Sequence, residues 1–168
     1  MCASSEGPAP VSAMENGAKS VLVMDKMKLF GGCTRLCGGL CAVESPVQER
    51  QGITLKADDL FRELMRITNW RCNTKLVSKW LHQSGDTVAW LERQGVQFTE
   101  VKGWGEKVLV SHWMEGNGNA LVNALIQVCQ TAGVEMLLQT RGKQLKTNDL
   151  GEVTGVIAEN AEGEIIDV

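Results

Sequence analysis

The residues of this 168-residue chain that could carry chemistry cluster in one stretch near the N-terminus and at two histidines. Asp25 closes the apolar run Val21-Leu22-Val23-Met24. In a dinucleotide-binding fold, a carboxylate at that place accepts hydrogen bonds from a ribose; the alternative is a charged strand end in solvent. Downstream, Gly31-Gly32-Cys33-Thr34-Arg35-Leu36-Cys37-Gly38-Gly39 holds two glycine pairs. Closely spaced glycines around Thr34 offer backbone N–H groups and a hydroxyl to a phosphate, or they form an ordinary glycine loop. Cys33, Cys37 and Cys41 follow an i, i+4, i+8 spacing that would line one helix face. Gly38-Gly39 interrupts such a helix, and three thiolates are one short of a closed site. Small buried side chains are the preferred account of them, and no metal is assigned. His82, beside Trp80 and Leu81, reads as a surface or half-buried residue. His112, in Ser111-His112-Trp113, precedes a Gly-rich stretch. A nucleophilic pair of a cysteine with His112 stays open, with no sequence signature behind it. Trp70, Trp80, Trp90 and Trp104 are interleaved with polar residues and read as packing, since no basic groove accompanies them.

These residues need elements to position them. Ser20 to Met24 is a continuous apolar run, the pattern of a parallel strand buried on both faces. Residues 1 to 18 are expected to be irregular, because Gly7-Pro8 and Pro10 break a helix early; a short turn over Val11 to Asn16 would end at Gly17. Amphipathic helices are predicted over Asp58 to Thr68, from Asn73 through Leu81, and again from Ser84 or Asp86 to Gly95. Val96-Gln97-Phe98 reads as a short edge strand, and 99–117 as irregular and Gly-rich. A helix then runs from Gly118 or Asn119 to Gly133. Val134 to Thr140 reads as an apolar strand that Gly142 to Lys146 continues or pairs with; Val153 to Glu159 and Glu164 to Val168 follow as strands after turns at 148–151 and 160–163, an α/β order ending in a β-meander.

Composition bounds the rest. One domain fits the length. A net charge of −3, from 17 basic and 20 acidic residues, offers no field for nucleic acid or an anionic membrane face. No apolar run approaches the ~18 residues of a membrane span, and the first residues lack the features of a secretory signal. A cytoplasmic protein with its six cysteines reduced is expected.

From about Gly17 onward the chain resembles the flavin domain of the fumarate reductase and succinate dehydrogenase flavoprotein superfamily. The likeness is to its soluble fumarate reductase-like, urocanate reductase-like and 3-ketosteroid dehydrogenase-like members. GAKSVLVMDKMKLFGGCTRLCGGLCAVES carries the resemblance most specifically. DTVAWLERQGVQF, GNGNALVNAL and GVEMLLQTRGKQLKTNDLGEVTGVIAE follow in order and spacing. The resemblance implies a three-layer, Rossmann-like FAD-binding domain with a β-meander, in which 1–18 is a segment apart and 19–168 a partial FAD-binding domain. It also implies that Asp25 binds the adenosine ribose, where the family usually has Glu, and that Lys26 follows as in the family. Gly31, Gly32 and Thr34 would lie along the pyrophosphate and ribityl chain, Gly38 and Gly39 close under the flavin side, and Gly142 at the adenine, where the family usually has Val or Ala. Cys33 replaces the usual Asn.

The family's opening strand and G-x-G-x-x-G turn find no counterpart here beyond Gly7-Pro8-Ala9. Its substrate-holding cap, with the proton-donating arginine, falls beyond residue 168, so no catalytic residue is assigned. The reading that follows is part of the FAD cradle of an oxidoreductase that, when complete, moves hydride between flavin and a carbon–carbon double bond. A sheet without that strand has open pairing edges, so marginal stability or a second chain completing the domain is expected. The alternatives are a non-catalytic scaffold that has lost flavin, or a fragment of a frameshifted or mis-started gene.

Overall fold

The computed structural model describes residues 7–104 and 108–168. Residues 1–6, with Cys2 and the start of the N-terminal segment, and 105–107 of the Gly-rich segment lie outside the described residues. Among the described residues the chain divides into two compact units, one within Arg35–Ala124 and the other 7–34 with Leu125–Val168.

The second unit opens with α1, Pro8–Glu15. This helix takes in most of the short turn expected over Val11 to Asn16 but begins earlier, at the prolines expected to break it. Pro8 and Pro10 sit in the first turn, where backbone N–H groups have no helical acceptor, so their missing donors cost nothing. Strand β1, Leu22–Met24, pairs in parallel with β5, Glu135–Leu137. A three-stranded antiparallel meander, β6 (Arg141–Thr147), β7 (Val153–Glu159) and β8 (Ile165–Asp167), completes the unit as the strand and turn pattern predicts.

The first unit is built on an antiparallel sheet in the order β2 (Gly39–Cys41), β4 (Val108–Met114), β3 (Phe98–Trp104). Two of these strands fall where an irregular segment was expected, and β2 falls in the glycine stretch. Over it lie α2 (Pro46–Arg50), α3 (Ala57–Ile67) and α4 (Thr74–Arg93). Val43, Ala57, Leu60, Leu81 and Val110 form one buried cluster, and Ala42, Val47, Val88 and Val101 another. The 15-residue α5, Asn117–Thr131, carries the boundary between the units within it.

Helix α4 runs unbroken for 20 residues through Ser84-Gly85-Asp86, where a restart was expected. Ser84 turns its hydroxyl back onto the Leu81 carbonyl at 2.8 Å and accepts the Val43 N–H at 2.9 Å. A Cβ on Gly85 would stand 2.3 Å from the Glu44 carbonyl oxygen. The Ser-Gly pair thus marks where another backbone presses on the helix, not where it ends. No helix of the described residues is long and apolar enough to cross a membrane.

Candidate functional site

In the second unit, the register of β1 and β5 places Asp25. Glu135 donates its N–H to the Val21 carbonyl at 2.9 Å, Asp25 donates to Leu137 at 2.9 Å, and Thr140 donates to the Asp25 carbonyl at 2.9 Å. Backbone pairing therefore runs on past both strand ends and fixes Asp25 at the C-terminal end of a parallel strand, half-buried. That is the end at which open parallel sheets bind ligands. The Met27 N–H donates to Asp25 Oδ1 at 3.0 Å, which sets the carboxylate's rotamer. Lys26 is exposed.

Gly31 and Gly32 follow at φ 100 and 42, backbone that side chains rarely adopt, and they turn the chain into a 3-10 turn over Gly32–Leu36. The Thr34 N–H closes this turn on the Gly31 carbonyl at 2.8 Å, and the Thr34 side chain is buried. Gly142 sits in β6 opposite Ala158. A Cβ there would meet nothing nearer than Val156 Cγ1 at 3.7 Å, so the fold itself does not require glycine at 142.

In the first unit, Gly38 and Gly39 have a packing cause. A Cβ on Gly38 would lie 2.7 Å from the Trp113 ring, and one on Gly39 would lie 2.4 Å from the His112 carbonyl oxygen. Arg35 Nη1 donates to Asn119 Oδ1 at 3.1 Å and Asn123 Oδ1 at 3.2 Å, and the Gly118 N–H donates to the Cys37 carbonyl at 2.7 Å. The segment Arg35 to Cys41 is thereby held between the first turns of α5 and strand β4. Cys33 lies in the 3-10 turn, Cys37 just after it and Cys41 in β2, so the three thiols share no helix face.

His112 is fully buried, and its ring partner is a serine rather than a cysteine. His112 Nδ1 lies 2.9 Å from the Val110 carbonyl, which can only accept, so Nδ1 carries the proton. Nε2 then accepts the hydroxyl of Ser45 at 2.6 Å. Burial lowers the His112 pKa below its ordinary value, which keeps the ring neutral. Burial also pushes the Cys41 thiol up to about 11, far from a thiolate nucleophile. Ser45 at the same time accepts the Gln48 N–H at 3.1 Å, while Gln48 Oε1 accepts the Ser45 N–H at 3.3 Å. The reading of sequence passed over Ser45 and Gln48, although Ser-Pro-x-Gln is the signature of a capping box with proline in the first turn. His82 is exposed, with Nε2 3.2 Å from Asp58 Oδ1 and Nδ1 2.8 Å from the Ser78 carbonyl.

The sequence profile of the FAD binding domain family matches residues 9–167. The vinyl phenol reductase of Lactiplantibacillus plantarum is 32% identical over 91% of this chain and 31% of its own length. The NADH:fumarate oxidoreductase of Klebsiella pneumoniae is 26% identical over 95% of this chain and 18% of its own. This chain thus spans less than a third of the curated relatives it matches. Among solved structures, the open conformation of a flavocytochrome c3 fumarate reductase superposes with a TM-score of 0.80 at 24% identity, over 95% of this chain and 29% of that one. The 3-ketosteroid-delta4-(5alpha)-dehydrogenase of Rhodococcus jostii RHA1 does so with 0.79 at 21%, over 95% and 40%. Those two likenesses speak to the fold. The residues present are compatible with the cofactor: a half-buried carboxylate ends a parallel strand, and a glycine turn follows it. The chain belongs to the FAD-binding domain family, among the fumarate reductase and succinate dehydrogenase flavoproteins, and its cofactor is FAD.

Proposed function

We propose that this chain forms part of the FAD cradle of a cytoplasmic oxidoreductase of the fumarate reductase type. Asp25 at the end of β1 carries the reading. Its Oδ1 is steadied by the Met27 N–H, and the carboxylate accepts hydrogen bonds from the adenosine ribose, with Lys26 beside it. Gly31, Gly32 and Thr34 present backbone and hydroxyl groups along the pyrophosphate and ribityl chain. Gly38 and Gly39 run beside the flavin, and Gly142 lies at the adenine.

When bound, the flavin supplies hydride exchange with a carbon–carbon double bond. The names of the relatives, reductases of vinyl phenol and fumarate, support that chemical class. No side chain of this chain is assigned the proton transfer. The part played here is binding and orientation.

The test is titration of the purified chain with FAD, followed by quenching of flavin fluorescence. Saturable binding that Asp25→Ala weakens about tenfold or more, as loss of a charged hydrogen bond predicts, supports the reading. A folded chain that leaves FAD fluorescence unchanged contradicts it and favours a scaffold without flavin.

A further inference from the structure

Charge is distributed unevenly along this chain. Between positions 64 and 85 it carries Arg66, Arg71, Lys75 and Lys79 and no acid, and between 148 and 168 it carries six acids and no base. The basic stretch forms the corner where α3 ends and α4 begins, two helices that share a buried cluster. Ile67, Trp70 and Leu76 are exposed there. Asn69 and Trp70 both adopt left-handed backbone, at φ 49 and 58, which a bulky aromatic rarely does and which only a well-tied turn sustains. The Trp70 N–H donates to the Met65 carbonyl at 3.0 Å, and its ring stands edge-on to Phe61 with centroids 6.4 Å apart. Trp70 is thus held in place while 66% exposed. Lys75 lies in the first turn of α4, which holds no acid, so its charge adds to the positive end of the helix instead of opposing it. Among the described residues, no carboxylate pairs with Arg71, Lys75 or Lys79.

The turn between β6 and β7 carries the complementary set. Asp149, Leu150, Glu152 and Val153 are all exposed, Leu150 to 83%. Asn148 Oδ1 accepts the Leu150 and Glu152 N–H groups, both at 3.0 Å, which fixes the turn that presents them. Among the described residues, no lysine or arginine pairs with Asp149 or Glu152.

We propose that the α3–α4 corner is a docking surface for the β6–β7 turn of a second copy of this chain. Leu150 packs on Trp70 and Leu76, and Asp149 and Glu152 face Arg71 and Lys75. Each surface joins exposed apolar side chains to uncompensated charge of one sign, and the two signs are opposite. Both are ordered before they meet, so little conformational freedom is lost on contact. A short turn meets only the charges within a Debye length, about 8–10 Å. An anionic membrane or a nucleic acid meets the field of the whole chain, whose net charge is −3. The two surfaces differ, so the contact is heterologous, and each copy offers both halves of it. None of this rests on the flavin reading.

The experiment is sedimentation velocity of the full chain over roughly 10–500 µM, a range that brackets the weak affinity of so small a contact. The wild type is expected to associate as concentration rises, and to do so less at about 0.5 M salt, which screens exposed charges. Two charge variants are each expected to self-associate about tenfold or more weakly. The first is Arg71→Glu with Lys75→Glu. The second is Asp149→Lys with Glu152→Gln, where glutamine keeps an acceptor for the Asn148 Nδ2 donor now 2.7 Å from Glu152. An equimolar mixture of the two is expected to associate again, because the unaltered turn of the first meets the unaltered corner of the second. Leu150→Ser, at a side chain that takes no part in the turn's hydrogen bonds, is expected to weaken association as well. Circular dichroism checks that each variant folds. A wild type that stays monomeric throughout overturns the proposal, as does association that salt or Leu150→Ser leaves unchanged. Folded charge variants that associate like the wild type, or that fail to recover when mixed, overturn it too.

Discussion

Ser45 Oγ lies 2.6 Å from His112 Nε2, a bond that joins the N-cap of α2 to the middle strand of the β2-β4-β3 sheet. Both side chains are buried. His112 sits in register with Leu40, one residue from the Gly39 that its own carbonyl crowds. The bond therefore fastens the Ser45 end of the segment that follows β2 to the sheet.

Ser45→Ala removes the helix cap and strands His112 Nε2 without a donor. Each loss costs about 1–2 kcal/mol, so a drop of roughly 2–3 kcal/mol in unfolding free energy is expected by urea titration. Ser45→Thr keeps the hydroxyl and is expected to recover part of it. A loss below about 0.5 kcal/mol for Ser45→Ala, well under the cost of one cap, would show that the bond is not a structural tie.

The same burial sets a pH dependence. Because the folded-state pKa of His112 is lowered below 6.5, the unfolded chain binds more protons than the folded one as pH falls through that value. The stability His112 contributes is complete above pH 6.5 and is lost progressively below it. Glu44, Glu63 and Glu159, lowered from 4.5 mainly by hydrogen bonds to Lys56, Arg66 and Lys143, lose theirs only below 4.5. Melting temperature is therefore expected to fall between pH 7 and 5 for the wild type and much less for His112→Gln. Parallel profiles for the two proteins would remove His112 as the cause.

Two glycines differ in how closely the protein packs on them. Gly85→Ala drives a Cβ to 2.3 Å from the Glu44 carbonyl oxygen, and an overpacked site of this kind costs about 1–3 kcal/mol or more. Gly142→Ala meets only ordinary contact and is expected to leave the melting temperature unchanged within error. A large loss of stability at 142, or none at 85, would contradict the packing described.

Thiol reactivity follows burial. Cys33 is exposed, while burial pushes the Cys41 thiol to about 11 and raises that of Cys129. At pH 8, iodoacetamide followed by peptide mapping is expected to label Cys33 well before Cys41 and Cys129. Rapid labelling of Cys41 in the folded protein would overturn its placement.

Much of this architecture was legible in local pattern. The β-branched run before Asp25, the amphipathic periods of α3 and α5, and the turn residues of the meander each carry their own signal. What escaped depended on residues far apart in sequence. Strands β3 and β4 hide because Gly103 and polar alternates interrupt the pattern, and β4 is flanked on its other edge by β2, a strand far earlier in sequence whose glycine packs against His112 and Trp113. The continuity of α4 through Ser84-Gly85 depends on the backbone of Val43 and Glu44 lying against it. The start of helix α1 was placed too late, since proline stops a helix in its interior but not in its first turn. In the site, the residue type and position of Asp25 pointed to a ribose, but its parallel-strand setting appears only once β5, 110 residues on, is in place.

The central claim is that this chain cradles FAD, and its visible spectrum tests that most directly. The chain is purified with added FAD, desalted, and its absorption recorded. The account predicts a retained flavin spectrum near one FAD per chain, diminished by Asp25→Ala. A folded but colourless protein would contradict it.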